Sequence, residues 1–165
     1  MSSEVITGGC QCGAVRFRAE GLGRASICHC RMCQKQFGSF YGPFVTGIAV
    51  TWVRGTPKYF QSSNAGRRGF CSDCGTPLTF GLAEAAETVE LAIGALDDPL
   101  LAAPILQVNP NDKLAFVDTL ADLPTRSAAE KLPLDVRKPG FVSYQHPDHD
   151  TEEWPPMGGK SAEQR

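Results

Sequence analysis

Apolar residues along this chain come in short bursts, not long periodic runs. Val5-Ile6-Thr7 and Ala14-Val15-Arg16-Phe17-Arg18 flank the stretch Gly8-Gly9-Cys10-Gln11-Cys12-Gly13. The second burst alternates apolar and polar with period two, which predicts two short strands around a turn. Gly21-Leu22-Gly23 reads as a loop, and Ser26-Ile27-Cys28 as a short strand. Arg31 to Phe37 lacks breakers and predicts about two turns of helix, stopped by Gly38. Phe40-Tyr41, Phe44-Val45, Ile48 to Val53 and Lys58-Tyr59-Phe60 are then short, aromatic or β-branched, and set apart by Gly, Pro or Asn, as strands are.

Gly69-Phe70 and Pro77-Leu78-Thr79-Phe80 enclose Cys71-Ser72-Asp73-Cys74-Gly75 in a strand–turn–strand. Ala83 to Glu87 predicts a helical turn, Thr88 to Ile93 a strand, and Asp97 to Leu101 a turn passing into a short helix. Ile105 to Val108 is a further strand, followed by the polar loop Asn109-Pro110-Asn111-Asp112. There is no internal repeat and no long helical period. The pattern predicts a mostly β domain of many short strands with one short helix after the central cysteines.

The length of 165 residues suits one domain, which the pattern places at residues 1–143. From about Tyr144 the chain turns polar and proline-rich, so residues 144–165 are expected to form a mobile, solvated tail that carries His146 and His149. The net charge of −2 and the lack of a Lys/Arg run argue against nucleic acid and anionic membrane partners. Met1 to Gly8 has neither a basic nor an apolar leader region, and no apolar run approaches the roughly 20 residues a membrane helix needs. A cytoplasmic protein with reduced thiols is therefore expected, and in that setting close-spaced cysteines favour metal binding over disulfides.

The seven cysteines divide as two, three and two. Cys71-x-x-Cys74-Gly75 has the form of a metal-binding knuckle, a tight turn that aims two thiols at one point. Cys10-x-Cys12-Gly13 supplies a second pair, and the four thiolates suffice for a closed, tetrahedral structural zinc. Cys28, Cys30 and Cys33 remain, with no cysteine left for a fourth position. Three protein ligands and an open place are the arrangement of a catalytic zinc. Three thiolates leave such a site with a negative charge, better suited to activating a substrate thiol than to making hydroxide from water. Helix N–H groups beginning inside the triplet would favour its thiolates. Open alternatives are a second structural site completed by His29, His146 or an acid, an iron–sulfur cluster, and thiol redox chemistry. His29 lies between two ligands, with its ring expected to point away from the metal.

Taken together, Gly8 to Val15, Cys28-His29-Cys30-Arg31-Met32-Cys33-Gln34-Lys35 with Gly38-Ser39, and Phe70-Cys71-Ser72-Asp73-Cys74-Gly75-Thr76-Pro77-Leu78 resemble the glutathione-dependent formaldehyde-activating enzyme family, also called the Gfa or CENP-V family. The resemblance spans residues 4–124. It implies an Mss4-like β-tent of short antiparallel sheets, a structural zinc on Cys10, Cys12, Cys71 and Cys74, and a catalytic zinc on Cys28, Cys30 and Cys33. It also implies a carbon–sulfur lyase-type activity in which glutathione and formaldehyde give S-hydroxymethylglutathione. The chain departs from the family pattern towards its C-terminus. Ile105 to Val108 stands where a histidine–aromatic strand is common, and Phe116 where a tryptophan is, ahead of Leu123-Pro124.

Two functions follow as expectations. In the first, a small thiol such as glutathione joins the triplet's metal beside an aldehyde, and Arg31, Lys35, Arg67 and Arg68 are the cations available to meet a peptide carboxylate. In the second, the chain is a non-catalytic, zinc-stabilised protein-binding module, with Phe37, Phe40, Tyr41 and Phe44 as its aromatic surface.

Overall fold

A computed structural model describes residues 5–82, 88–127 and 139–153. Among these residues the short apolar bursts form ten strands and one α-helix: β1 (Ile6–Gly9), β2 (Arg16–Ala19), β3 (Gly21–Cys28), α1 (Arg31–Phe37), β4 (Gly42–Ile48), β5 (Thr51–Arg54), β6 (Lys58–Gln61), β7 (Gly66–Phe70), β8 (Pro77–Leu82), β9 (Thr88–Ala92) and β10 (Leu106–Val108). Two sheets result, a three-stranded one in the order β1-β2-β5 and a seven-stranded one in the order β10-β3-β4-β9-β8-β7-β6. The fold is mostly β and of the Mss4-like kind.

The core lies where inward-facing residues of the two sheets meet. Phe17, Val45, Leu78 and Leu91 are buried, and Cys10, Cys12 and Cys71 belong to the same cluster. Phe17 pairs with Trp52 across the small sheet, ring edge to face at 5.7 Å. Helix α1 stops at Gly38 as expected, because Gly38 takes the left-handed conformation (φ 56°) that ends the helix. No helix among the described residues is long and apolar enough to cross a membrane.

Several elements differ from the sequence pattern, each for a local reason. Gly21-Leu22-Gly23 is not a loop but the start of β3, since Gly21 and Leu22 find partners in Ile48 and Gly47. Phe40 and Tyr41 lie outside β4: Tyr41 sets its edge against His29 at 6.0 Å and Phe40 meets Phe116 at 5.0 Å. Ile48 to Val53 is broken by Ala49 at φ 50°, which ends β4 and lets β5 join the other sheet. The sheets are not wholly antiparallel, because β10 returns parallel to β3. Pro110–Asp112 and Ala115–Asp122 are turns of 3-10 helix. The helical turn expected at Ala83 to Glu87 lies outside the described residues.

The segment expected as a solvated tail also differs where it is described. His146 is only 3% exposed. Its backbone N–H donates to the Gln11 carbonyl at 2.7 Å, and its ring Nε2 faces Thr151 and Arg54. Asp150 accepts from Arg16 at 2.9 Å and from Arg18 at 2.8 Å. His146, Asp150 and Thr151 thus dock on β2 and β5, while Gln145, Asp148, His149, Glu152 and Glu153 stay exposed. Trp154 onward lies outside the described residues.

Arg16 is the centre of that docking. Only 2% exposed, it meets Asp97 through two N–H···O contacts of 2.8 and 2.5 Å and Asp150 through two more of 2.9 and 3.3 Å, while the Thr7 hydroxyl donates to Asp97. A buried guanidinium stripped of its carboxylate is costly to hold. Asp97→Ala is expected to destabilise the protein by about 2–4 kcal/mol, below the full cost of a broken buried pair because Asp150 still faces Arg16. A lower urea midpoint at unchanged slope would register the loss.

Candidate metal centres

The first centre is built from two turns. In the β1–β2 connection, Cys10 N–H donates to the Val15 carbonyl at 2.9 Å and Gly13 N–H to the Cys10 carbonyl at 3.0 Å. In the β7–β8 connection, Cys71 N–H donates to the Thr76 carbonyl at 3.0 Å and Gly75 N–H to the Cys71 carbonyl at 2.9 Å. Gly13 and Gly75 sit at φ 79° and 76°, a conformation other residues adopt only with strain. Gln11 N–H donates to the Thr76 hydroxyl at 3.0 Å and binds one turn to the other.

These turns bring the sulfurs of Cys10, Cys12, Cys71 and Cys74 within 4.8 Å of one another. A tetrahedron with Zn–S bonds of about 2.3 Å has sulfur–sulfur edges of about 3.8 Å. Cys10–Cys12 and Cys12–Cys71 stand at 3.5 and 3.8 Å, a spacing compatible with zinc. The electrostatics agree. The Cys10 thiol donates to Cys74, which settles negative charge on Cys74 and lowers it to about 3. That same bond, with burial, pushes Cys10 up, and burial pushes Cys12 up to about 11. Four thiols so close cannot all ionise unaided, and a dication is what would let them.

The second centre lies at the junction of strand and helix. Cys28 ends β3, Cys30 precedes α1 in extended conformation, and Cys33 falls in the helix's first turn. Their sulfurs also lie within 4.8 Å of one another, and among the described residues no histidine or carboxylate joins either group. Burial raises Cys30, but N–H groups of Cys33 and Met32 and the neighbouring thiols outweigh it and hold Cys30 below the usual thiol range. Burial pushes Cys28 up, and Cys33 up to about 12.

The surroundings of the two centres differ. All three triplet cysteines line a cavity of about 460 Å³, walled on its apolar side by Phe44 and Phe80. A neighbouring cavity of about 520 Å³ carries Arg31 and Lys35, and the two share Met32, Ser62 and Arg68. At the four-cysteine centre, residues 141–148 form the facing wall of the clefts beside Cys10, Cys12 and Cys74.

The other residues singled out in the sequence divide clearly. His29 is wholly buried, its Nε2 2.8 Å from Gln107 Oε1, while Gln34 donates to its carbonyl at 2.7 Å. His146 faces Arg54, and neither histidine joins the triplet. Phe37 and Phe44 pack edge to face at 5.2 Å, with Phe44 buried, leaving Phe40 as the exposed member of the aromatic group. Arg67 and Arg68 point to opposite sides of β7, as strand periodicity requires. Arg67 lies 4.6 Å over the Tyr59 ring, whereas Arg68 reaches Cys33. Two contacts went unread in the sequence. One is the approach of Arg68 to sulfur, and the other is Asn109, whose amide donates to Cys28 Sγ at 3.8 Å from a left-handed backbone (φ 52°). The Asn-Pro step marks a turn at Asn109, yet nothing local says that the turn faces Cys28.

Fold and sites define a small β protein whose cysteines form two clusters that could hold metal ions, one of four sulfurs and one of three that lines a cavity. The family described as glutathione-dependent formaldehyde-activating enzyme matches residues 5–111, and the chain belongs to it. A crystal structure of a Rhodobacter sphaeroides protein has a similar fold, at TM-score 0.50 and 21% identity, covering 62% of this chain and 99% of that one. No curated protein matches.

Cys71 ties the two turns together, so Cys71→Ser is expected to lose one metal ion and the cooperative unfolding transition. Cys30→Ser should lose one metal ion and keep the fold. Metal content by elemental analysis, with circular dichroism on the same samples, distinguishes the two.

The wall of residues 141–148 has its own pH dependence. Burial holds the His146 imidazole below its ordinary value of 6.5, with the Arg16 and Arg54 charges adding to the effect against the Pro147 carbonyl and Asp97. A base with a lowered folded pKa contributes stability above its unfolded value and loses it as pH falls. Burial raises Asp150, but bonds from Arg16 and Arg18 outweigh it and hold the group below 3.8, so Asp150 gives way only in stronger acid. Amide protection factors of residues 139–153, taken relative to the intrinsic exchange rate at each pH, should therefore fall between pH 7 and 5, and His146→Gln should remove most of that change.

Proposed function

We propose that this protein is a zinc-dependent enzyme that makes or breaks the carbon–sulfur bond of a thiol–aldehyde adduct, of the kind glutathione and formaldehyde form. The observation that carries the reading is the contrast between a complete four-cysteine cluster and a three-cysteine cluster that lines a cavity. Cys10, Cys12, Cys71 and Cys74 would hold a structural zinc, and Cys28, Cys30 and Cys33 a catalytic one. Zinc held by the triplet would lower the pKa of a thiol beside it.

The chain's own residues supply the rest. The cavity at the triplet is large enough for a small thiol and an aldehyde together, and Phe44 and Phe80 shield one side from water. Arg31 and Lys35 line the adjoining cavity, within reach of a carboxylate-bearing tail. In the forward direction the thiol sulfur bonds to the carbonyl carbon, the C=O π pair moves to oxygen, and the thiol's proton ends on that oxygen. No electrons are gained or lost overall, so no redox partner is needed, and proximity of the two reactants accounts for the acceleration. The free thiols of all seven cysteines fit a reducing, cytoplasmic setting. The second reading, a non-catalytic protein-binding module, draws on the exposed Phe40–Phe116 pair.

Exchange NMR with glutathione and formaldehyde provides the test. Accelerated interconversion of free thiol and hydroxymethyl adduct, lost in Cys30→Ser, is expected. Exchange at the buffer rate in protein carrying two metal ions would rule this activity out and leave the binding-module reading.

A further inference from the structure

Arg68 poses a problem of charge. It is 6% exposed, and none of the ion pairs among the described residues includes it. Its Nη1 donates to the neutral Gln36 amide oxygen, its guanidinium lies 5.0 Å from the centre of the Phe80 ring, and its Nε has no partner among the described residues. A guanidinium is not buried in this way without an anion nearby. The group placed to be that anion is Cys33, whose Sγ stands 3.6 Å from both Nη1 and Nη2. Arginine suits this task better than lysine because its planar fork presents two N–H donors at once.

At the four-cysteine cluster, two of the sulfurs take uncharged donors. Cys10 takes the backbone N–H of Val15 at 3.2 Å, and Cys74 faces the Thr76 hydroxyl at 3.0 Å; both donors are uncharged. Arg68 sets a charged donor at the cluster that has three sulfurs instead of four.

We infer that Arg68 is a positioning residue of the three-cysteine centre: it holds the Cys33 thiolate through both Nη groups of its fork and offsets the charge that would otherwise repel an anionic sulfur. The inference rests on reading the triplet as an open metal site. Three thiolates with a dication carry one negative charge, and Arg68 cancels it. An incoming thiolate then meets a neutral assembly, not an anionic one. A neutral ligand gains nothing from this cancellation, so Arg68 confers selectivity for thiolates over uncharged donors. Because the guanidinium also lines both cavities, its charge acts along the path a thiol would follow.

The test uses the full chain loaded with Co²⁺, whose sulfur charge-transfer and ligand-field bands report on both centres. Glutathione and imidazole are titrated separately into the wild type, Arg68→Gln and Arg68→Lys. Arg68→Gln should weaken glutathione binding by roughly 10- to 100-fold, the range of a lost charge-assisted hydrogen bond, while imidazole binding changes less than about threefold. Arg68→Lys keeps the charge without the fork and should fall between the two for glutathione. Equal weakening of both ligands would make Arg68 merely structural, and unchanged glutathione binding would remove its role altogether; either overturns the inference. If Arg68→Gln does not fold, Arg68→Lys decides alone, through a glutathione-to-imidazole preference that drops by a measurable factor or stays at the wild-type value. A wild type that holds two cobalt ions yet binds neither ligand sinks the open-site reading and this inference together, whereas lost discrimination sinks only the inference.

Discussion

Four sulfurs in one small volume are the constraint on which the rest of this structure depends. Cys10 and Cys12 sit on the turn of the small sheet's hairpin, and Cys71 and Cys74 on a hairpin of the large sheet. Bringing them within 4.8 Å fixes how the two sheets lie on one another, and so where Phe17, Val45, Leu78 and Leu91 meet. Without a cation, burial and the neighbouring thiols keep Cys10 and Cys12 protonated. With one, the same crowding becomes the strongest cross-link in the chain.

The second cluster inherits its position from that arrangement. β3 delivers Cys28, α1 carries Cys33, and β7 leaves the four-cysteine turn in reverse to bring Arg68 across to the triplet. The strand that leads into Cys71 of one cluster therefore supplies the charge that faces the other. The two sites are linked by only a few residues of one strand, from Arg68 to Cys71.

Much of this was legible in the sequence because the signals are local. Thiol spacing, the glycines after Cys12 and Cys74, and the helix stop at Gly38 are each set by neighbours within one turn. What could not be read depends on partners far along the chain. Period two says that Arg67 and Arg68 face opposite ways but not which of them meets Cys33. The parallel return of β10 beside β3 is a topological choice that leaves no mark in the pattern. His146, Asp150 and Thr151 read as solvated because their partners, Arg16, Arg18 and Arg54, lie about a hundred residues earlier in the chain. Their polarity is the same whether it meets water or a buried guanidinium.

That docked segment lies beyond residues 5–111, the stretch shared with the family. It contributes no cysteine, yet it supplies Asp150 to Arg16 and the facing wall beside Cys10, Cys12 and Cys74. A chain trimmed to the shared stretch would retain every thiol and still be a different protein. Arg16 would keep a single carboxylate, Arg54 would give up its contacts with Thr151, and the four-cysteine centre would face water on that side. For this family member, the contacts that hold the arginines of β2 and β5 reach past the boundary drawn by sequence similarity.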